Sequence, residues 1–281
     1  MLLSYGLANE SIFRYVMAMS RINICGAELD CDWLGPPPTE APTLVFLHEG
    51  LGSIALWKEV PQRLVEETSC GVLVYSRQGY GHSSPLSGPR PVDYMHREAQ
   101  RILPPLLNHF AVRRPVFIGH SDGASIALIF AGCFPEIPIG LVLEAPHVFV
   151  EDITITGIEE VRTTYRTTDL SKKLSRYHDD VDAVFWAWND IWLDPAFRSW
   201  NIEEYLPSIP CPVLQIQGRD DQYATYAQLD AIASGVTGRV ETILLDDCAH
   251  GPHHEQPLAT IEAISAFVTR LAVRSSCREV S

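Results

Sequence analysis

The sequence predicts an α/β fold, a doubly wound, mostly parallel sheet of the eight-stranded type carrying a helical insertion. Three observations predict it. Short apolar runs alternate along the chain with longer helical segments. The runs are apolar at every position rather than every second one, as expected of strands covered by helices on both faces. One interval, 149–210, breaks the alternation: it holds no strand run but abounds in aromatic and helix-forming residues. A chain of 281 residues is more naturally one large domain with an insertion than two domains. The core is then 21–148 with 211–281. Residues 1–20 form a poorly ordered N-terminal extension, with Met1, Met17 or Met19 as the start.

The elements follow in order. Arg21 to Leu34 alternates around Gly26 and reads as a hairpin, and Gly35-Pro36-Pro37-Pro38 as a loop. Thr43–Leu47 is a strand buried on both faces, Ala55–Glu67 a helix, and Gly71–Tyr75 the next strand. A turn at Gln78-Gly79-Tyr80-Gly81 leads to a helix over Val92–Phe110. A strand over 115–118 precedes a buried helix that begins after Ser121, and Gly140–Glu144 is a further strand. Beyond the insertion come a strand at Cys211–Gln217, a helix near Tyr226–Ala233, a last strand at Val240–Leu245 and a last helix at Leu258–Val273.

Composition excludes several functions. Hydrophobic residues make up 46% and charged residues 20%, a globular balance, and the formal net charge is −14. No Lys/Arg cluster is present, which excludes nucleic acid and an anionic membrane surface as partners. Seven cysteines are scattered with no C-x-x-C pair. This argues against a disulfide scaffold or a structural zinc and suits a reducing cytoplasm. No apolar run is long enough to span a bilayer, and the first twenty residues lack a basic start and a cleavage site.

The chemistry starts at Gly119-His120-Ser121-Asp122-Gly123, which fits G-x-S-x-G. A chain this long matches that pattern by chance roughly one time in ten, so the strand before it and the helix after it carry the weight. A serine hydroxyl attacks only when a base takes its proton and an acid holds that base. In doubly wound sheets such groups stand at the carboxyl ends of strands. Gly218-Arg219-Asp220-Asp221 follows the 211–217 strand, and Asp246-Asp247-Cys248-Ala249-His250 follows the 240–245 strand. Three strand ends thus supply Ser121, an Asp and His250, in that order.

On these residues the chain resembles the α/β-hydrolases from about residue 22 onward. Gly218 to Asp221 is similar to the family's G-x-x-D, so the resemblance makes Asp221 the acid, with Asp220 as the alternative. Tyr75 to Ser83 is similar to the D-x-x-G-x-G-x-S loop, with Ser76 in the Asp position. His250 with Glu255-Gln256-Pro257 is similar to the His region. The oxyanion would be held by the backbone N–H of Asp122 and by one from His48-Glu49-Gly50-Leu51-Gly52-Ser53. The family's loop commonly begins His-Gly, and on that alignment the second donor is Gly50 N–H. The Asp122 side chain has a sufficient structural role at a helix N-terminus.

Glu49 departs from the family pattern. It is either a brace of its loop, the reading slightly favoured, or a polar contact to substrate or insertion. His253 and His254 read as a surface helix start, and His178-Asp179-Asp180 as a solvated polar face. The insertion holds Trp186, Trp188, Trp192 and Trp200; Phe185, Trp188 and Trp192 share one helical face that docks it onto the sheet. Some of Trp186, Trp188 and Trp192 also line the pocket of a cap. The resemblance implies a serine hydrolase of a small, apolar or aromatic carboxylic ester or lactone, with no cofactor and no metal. A carbon–carbon bond hydrolase of ring-cleavage products is the alternative, lowered because Gly251 rather than Trp follows His250. A ligand-binding receptor on the same fold is a third reading.

Overall fold

Strand faces sort the core into two layers. In the computed structural model, which describes residues 16–278, Leu44 and Phe46 point to one side of the sheet and Val45 and Leu47 to the other. All four are fully buried. Helices on both faces remove the inner strands from water, which is why their sequences are apolar without alternation.

The strands are β1 (Val16–Ile24), β2 (Ala27–Leu34), β3 (Thr43–Leu47), β4 (Gly71–Tyr75), β5 (Pro115–His120), β6 (Gly140–Glu144), β7 (Val213–Gly218) and β8 (Val240–Leu245). They form one sheet in the order β1-β2-β4-β3-β5-β6-β7-β8. β2 pairs antiparallel with both β1 and β4, and all later pairs are parallel. This is the expected α/β architecture.

Helices α1 (Val60–Thr68), α2 (Tyr94–Arg97), α3 (Leu103–His109) and α4 (Asp122–Cys133) belong to the first half. The segment between β6 and β7 contains α5 (Asp152–Thr167), α6 (Leu170–Leu174), α7 (Val181–Trp192) and two 3-10 turns. Then come α8 (Tyr226–Gly235), α9 (Pro252–Glu255) and α10 (Pro257–Arg278). α1 and α10 pack together on one face of the sheet. The other face carries α4, and the α7 aromatics join the same apolar cluster.

Three expectations change in detail. β1 begins at Val16 and pairs with β2 from Val16↔Leu34, so 16–20 is strand; the rest of the expected extension lies outside the described residues. Val16-Met17-Ala18-Met19 is apolar throughout, and a shift in register follows Met17, so no alternation betrays the strand. The expected helix over 55–67 divides into a 3-10 turn, Ile54–Trp57, and α1, separated by Lys58 at φ 51°. Pro61 has no N–H to give the Trp57 carbonyl, which prevents a continuous helix. In the 92–110 helix a π turn at Glu98–Ile102 joins α2 to α3. Pro104 and Pro105 leave the Gln100 and Arg101 carbonyls without their usual donors.

Candidate active site

The chain runs from β3 outward to β4 and returns across β3 to β5, so the winding reverses between β3 and β5. A crevice opens at the carboxyl ends of strands where winding reverses. Leu47 lies opposite Gly119 in the β3–β5 ladder, which sets the 48–53 loop beside the start of α4.

Ser121 stands at that crevice in a turn few residues adopt, with φ 52° and ψ −115°. A non-glycine residue held there costs about 1–3 kcal/mol. Its surroundings impose the turn: Ser121 N–H donates to the Glu144 carbonyl at 2.9 Å, while Ala124 and Ser125 N–H donate to the Ser121 carbonyl at 2.9 and 3.1 Å. The flanking glycines are required by close approach. A Cβ on Gly123 would collide with the Leu47 carbonyl, and one on Gly119 with the Gly123 backbone.

His250 reaches this serine from the loop after β8. Its Nε2 lies 3.0 Å from Ser121 Oγ, and its Nδ1 lies 2.9 and 3.0 Å from the two carboxylate oxygens of Asp221. The carboxylate accepts only, so Nδ1 carries the proton and Nε2 presents its lone pair to the hydroxyl. Tyr223 N–H donates to Asp221 Oδ1 at 2.8 Å. Burial pushes the Asp221 carboxyl up, but the His250 charge and these hydrogen bonds outweigh it and hold it below its ordinary value. Asp221 is buried and Asp220 exposed, so the structure brings Asp221, not its neighbour, to the histidine.

The N–H of Gly50 and the N–H of Asp122 flank the crevice, and neither donates to an acceptor among the described residues. The Asp122 carboxylate does more than complement a helix terminus. It accepts from Tyr94 Oη at 2.7 Å and from Trp192 Nε1 at 3.2 Å, and lies 3.6 Å from Arg77 Nη2. All four side chains are buried. Arg77 Nη2 also donates to the Glu49 carbonyl at 2.7 Å, so one guanidinium ties the two flanks of the crevice together. Trp188, from α7, lies against Gly50 so closely that a Cβ there would collide with its indole nitrogen.

A family model described as the alpha/beta hydrolase family matches residues 44–263, well over half of the chain. The chain belongs to the α/β-hydrolase family. A stretch of 92 residues, 33% of this α/β-hydrolase, is 32% identical to the proline iminopeptidase of Lactobacillus helveticus (strain DPC 4571). The chain spans 31% of that relative's length. The solved 2-hydroxy-6-oxo-6-phenylhexa-2,4-dienoate hydrolase of Rhodococcus sp. strain RHA1 is similar with a TM-score of 0.73 at 17% identity, covering 88% of this chain and 96% of that one. The enol-lactonase of Burkholderia xenovorans LB400 is similar with a TM-score of 0.70 at 19% identity, covering 89% and 100%. At such identities these likenesses speak for the fold alone.

The remaining expected residues of this α/β-hydrolase fall in varied places. Phe185, Trp188 and Trp192 are buried on the inner side of α7. Trp186 turns the other way, packing edge-on to Tyr165 and Phe185 beneath Arg166, which makes it part of the insertion's own packing. Glu49 lies with its carboxylate 3.6 Å from His120 Nδ1. His253 does lie at the start of a helix, α9, but not at the surface: it is 3% exposed, and its Nδ1 and N–H meet Glu144 Oε2 at 2.7 and 3.1 Å. His178 is not solvated either. It is buried, its Nδ1 accepts from Gly81 N–H at 3.0 Å, and its Nε2 donates to the Leu51 carbonyl at 2.9 Å.

His147 was not singled out by the sequence. Its ring lies 5.6 Å from that of His250 and 5.4 Å from that of Trp192, and burial followed by the His250 charge pulls it down to about 3. It is therefore neutral near pH 7, and it stands just past β6. A histidine this close behind β6 carries the same sequence signal as Asp221 behind β7 and His250 behind β8. Tyr223, edge-on to His250 at 4.7 Å, likewise follows β7 closely.

Proposed function

We propose that this α/β-hydrolase is a serine hydrolase that cleaves a small carboxylic ester or lactone through an acyl-enzyme, beneath a cap formed by the helical insertion. One observation carries the reading: the unbroken chain from Ser121 Oγ to His250 Nε2 and from His250 Nδ1 to Asp221, with contacts of 3.0 and 2.9 Å.

In this mechanism His250 Nε2 takes the Ser121 proton as Oγ attacks the substrate carbonyl carbon. Asp221 keeps the ring oriented and stabilises the imidazolium as it forms. The carbonyl oxygen becomes an oxyanion facing the free N–H groups of Gly50 and Asp122. The imidazolium then gives its proton to the leaving oxygen and the alcohol departs. Water, activated by the same histidine, attacks the acyl carbon and restores Ser121.

The rings of Trp188, Trp192, Tyr223 and His147 around the crevice favour an apolar or aromatic acyl group. Among the described residues the cysteines are unpaired, which supports action in the cytoplasm. No helix among them is long and apolar enough to cross a membrane.

The test is a substrate panel of aryl and alkyl esters, lactones and coloured dienoates, run with wild type and Ser121→Ala. Ester or lactone turnover that vanishes in the variant is expected. Dienoate cleavage faster than every ester would reassign the chain to carbon–carbon bond hydrolysis, and tight binding without turnover would make it a receptor.

A further inference from the structure

Glu49, the departure from the family's oxyanion loop, leads to a second charged chain at this site. His120 is 3% exposed and has an oxygen facing each ring nitrogen, one at hydrogen-bond distance and one at ion-pair distance. Nε2 lies 2.7 Å from the carbonyl oxygen of His250, and Nδ1 lies 3.6 Å from Glu49 Oε2. A carbonyl oxygen only accepts, so Nε2 carries a proton. A neutral ring would then aim the Nδ1 lone pair at a carboxylate. Only the imidazolium presents a proton to both.

The surrounding groups support the same charge state. His120 is faced by Glu49, Glu144, His147, His250, His253 and, more remotely through Glu49, His254. Glu144 is engaged by His253, which leaves Glu49 as the carboxylate against His120 itself. Burial alone would lower His120, but Glu49 and Glu144 outweigh it and raise it to about 9. Burial pushes Glu49 up, and His120 more than reverses this, holding it well below the usual carboxylate range.

We propose that Glu49, which is partly buried, and the buried His120 form an ionic pair that positions His250 through its backbone carbonyl, so that Glu49 is a positioning residue for the general base. The proposal rests on reading His250 as that base. Asp221 fixes the His250 ring, while His120 fixes its peptide. Both anchors matter because His250 belongs to a loop, not to a strand or helix. A charged donor holds a carbonyl more firmly than a neutral one. The arrangement also turns the Glu49 carboxylate toward His120, where the imidazolium compensates it beside an oxyanion site that it would otherwise oppose.

The experiment follows the histidine ring nitrogens of the full chain by NMR against pH, in wild type, Glu49→Gln and Glu49→Asp, with His120→Gln assigning the signal. The expected wild-type His120 is doubly protonated at neutral pH and titrates near 9. In Glu49→Gln its acid dissociation constant rises about tenfold or more, and kcat falls several-fold with KM unchanged. Glu49→Asp, which keeps the charge, retains most of both. A neutral His120 at pH 7 in wild type, a titration unmoved by Glu49→Gln, or a shifted titration with unchanged kcat each overturn the proposal. The wild-type titration decides the charge state even if Glu49→Gln does not fold. His120 is read without substrate, so failure here is distinct from failure of the hydrolase reading, which would show as turnover that survives loss of Ser121.

Discussion

The Trp192 indole N–H donates to the Asp122 carboxylate at 3.2 Å, so the insertion directly holds the residue that follows Ser121. In the proposed mechanism Asp122 also offers its backbone N–H to the crevice, and its side chain is fixed by Tyr94 and Arg77 besides. Removing this α7 donor leaves a buried carboxylate short of one bond. Trp192→Phe is therefore expected to destabilise the chain by about 2 kcal/mol and to lower kcat more than it raises KM. Urea denaturation and steady-state kinetics check both. A variant as stable and as active as wild type would dissociate the insertion from the proposed oxyanion site.

Gly50→Ala places a methyl group against the Trp188 indole, so α7 or the 48–53 loop has to move. A marked fall in kcat is expected. Adding Trp188→Ala opens the space and should recover part of it, a non-additive pair. Additive losses would show that the clash is not the cause.

The acid of the proposed triad is tested by comparison. Asp221→Asn removes the charge that stabilises the imidazolium, with kcat expected to drop roughly a thousandfold or more. Asp220 is exposed, and Asp220→Asn should stay within about twofold of wild type. The opposite ranking would reassign the role.

Ser121, Asp221 and His250 are legible because each follows a strand end within a few residues, where chain order alone places it at the crevice. What stayed hidden depends on partners remote in sequence. His253 reads as a polar helix start until Glu144, 109 residues earlier, is found beneath it. His178 reads as solvated until the Gly81 and Leu51 backbones close on it. Arg77 sits in a recognised loop, yet its pairing with Asp122 follows only from the sheet order that sets β4 beside β3. The sheet itself was readable because burial on both faces leaves unbroken apolar runs. Proline was undervalued: Pro61, Pro104 and Pro105 reshape helices that periodicity draws as continuous.

Stability should depend on pH with a maximum near neutrality. Burial depresses His48, His147 and His254, the last two to about 3 and about 4. Below about 6.5 the unfolded chain protonates these rings while the folded chain does not, so stability falls as pH drops through that interval. Asp221 and Glu144, both held low in the fold, add to the loss at more acid pH. His120 has the opposite sign: raised to about 9, it contributes fully below about 6.5, and that contribution is lost as pH rises through 9. Denaturation midpoints from pH 4 to 10 test this, the acid side falling more steeply. Stability that is flat or rises from neutrality down to pH 4 would contradict it.

The central claim is that Ser121 is a nucleophile activated by His250. Its most direct measurement is the site of covalent labelling by a fluorophosphonate, read by peptide mass spectrometry. The account predicts one adduct on Ser121 in wild type, strongly slowed in His250→Ala and absent in Ser121→Ala. Labelling of Ser121→Ala equal to wild type would contradict it.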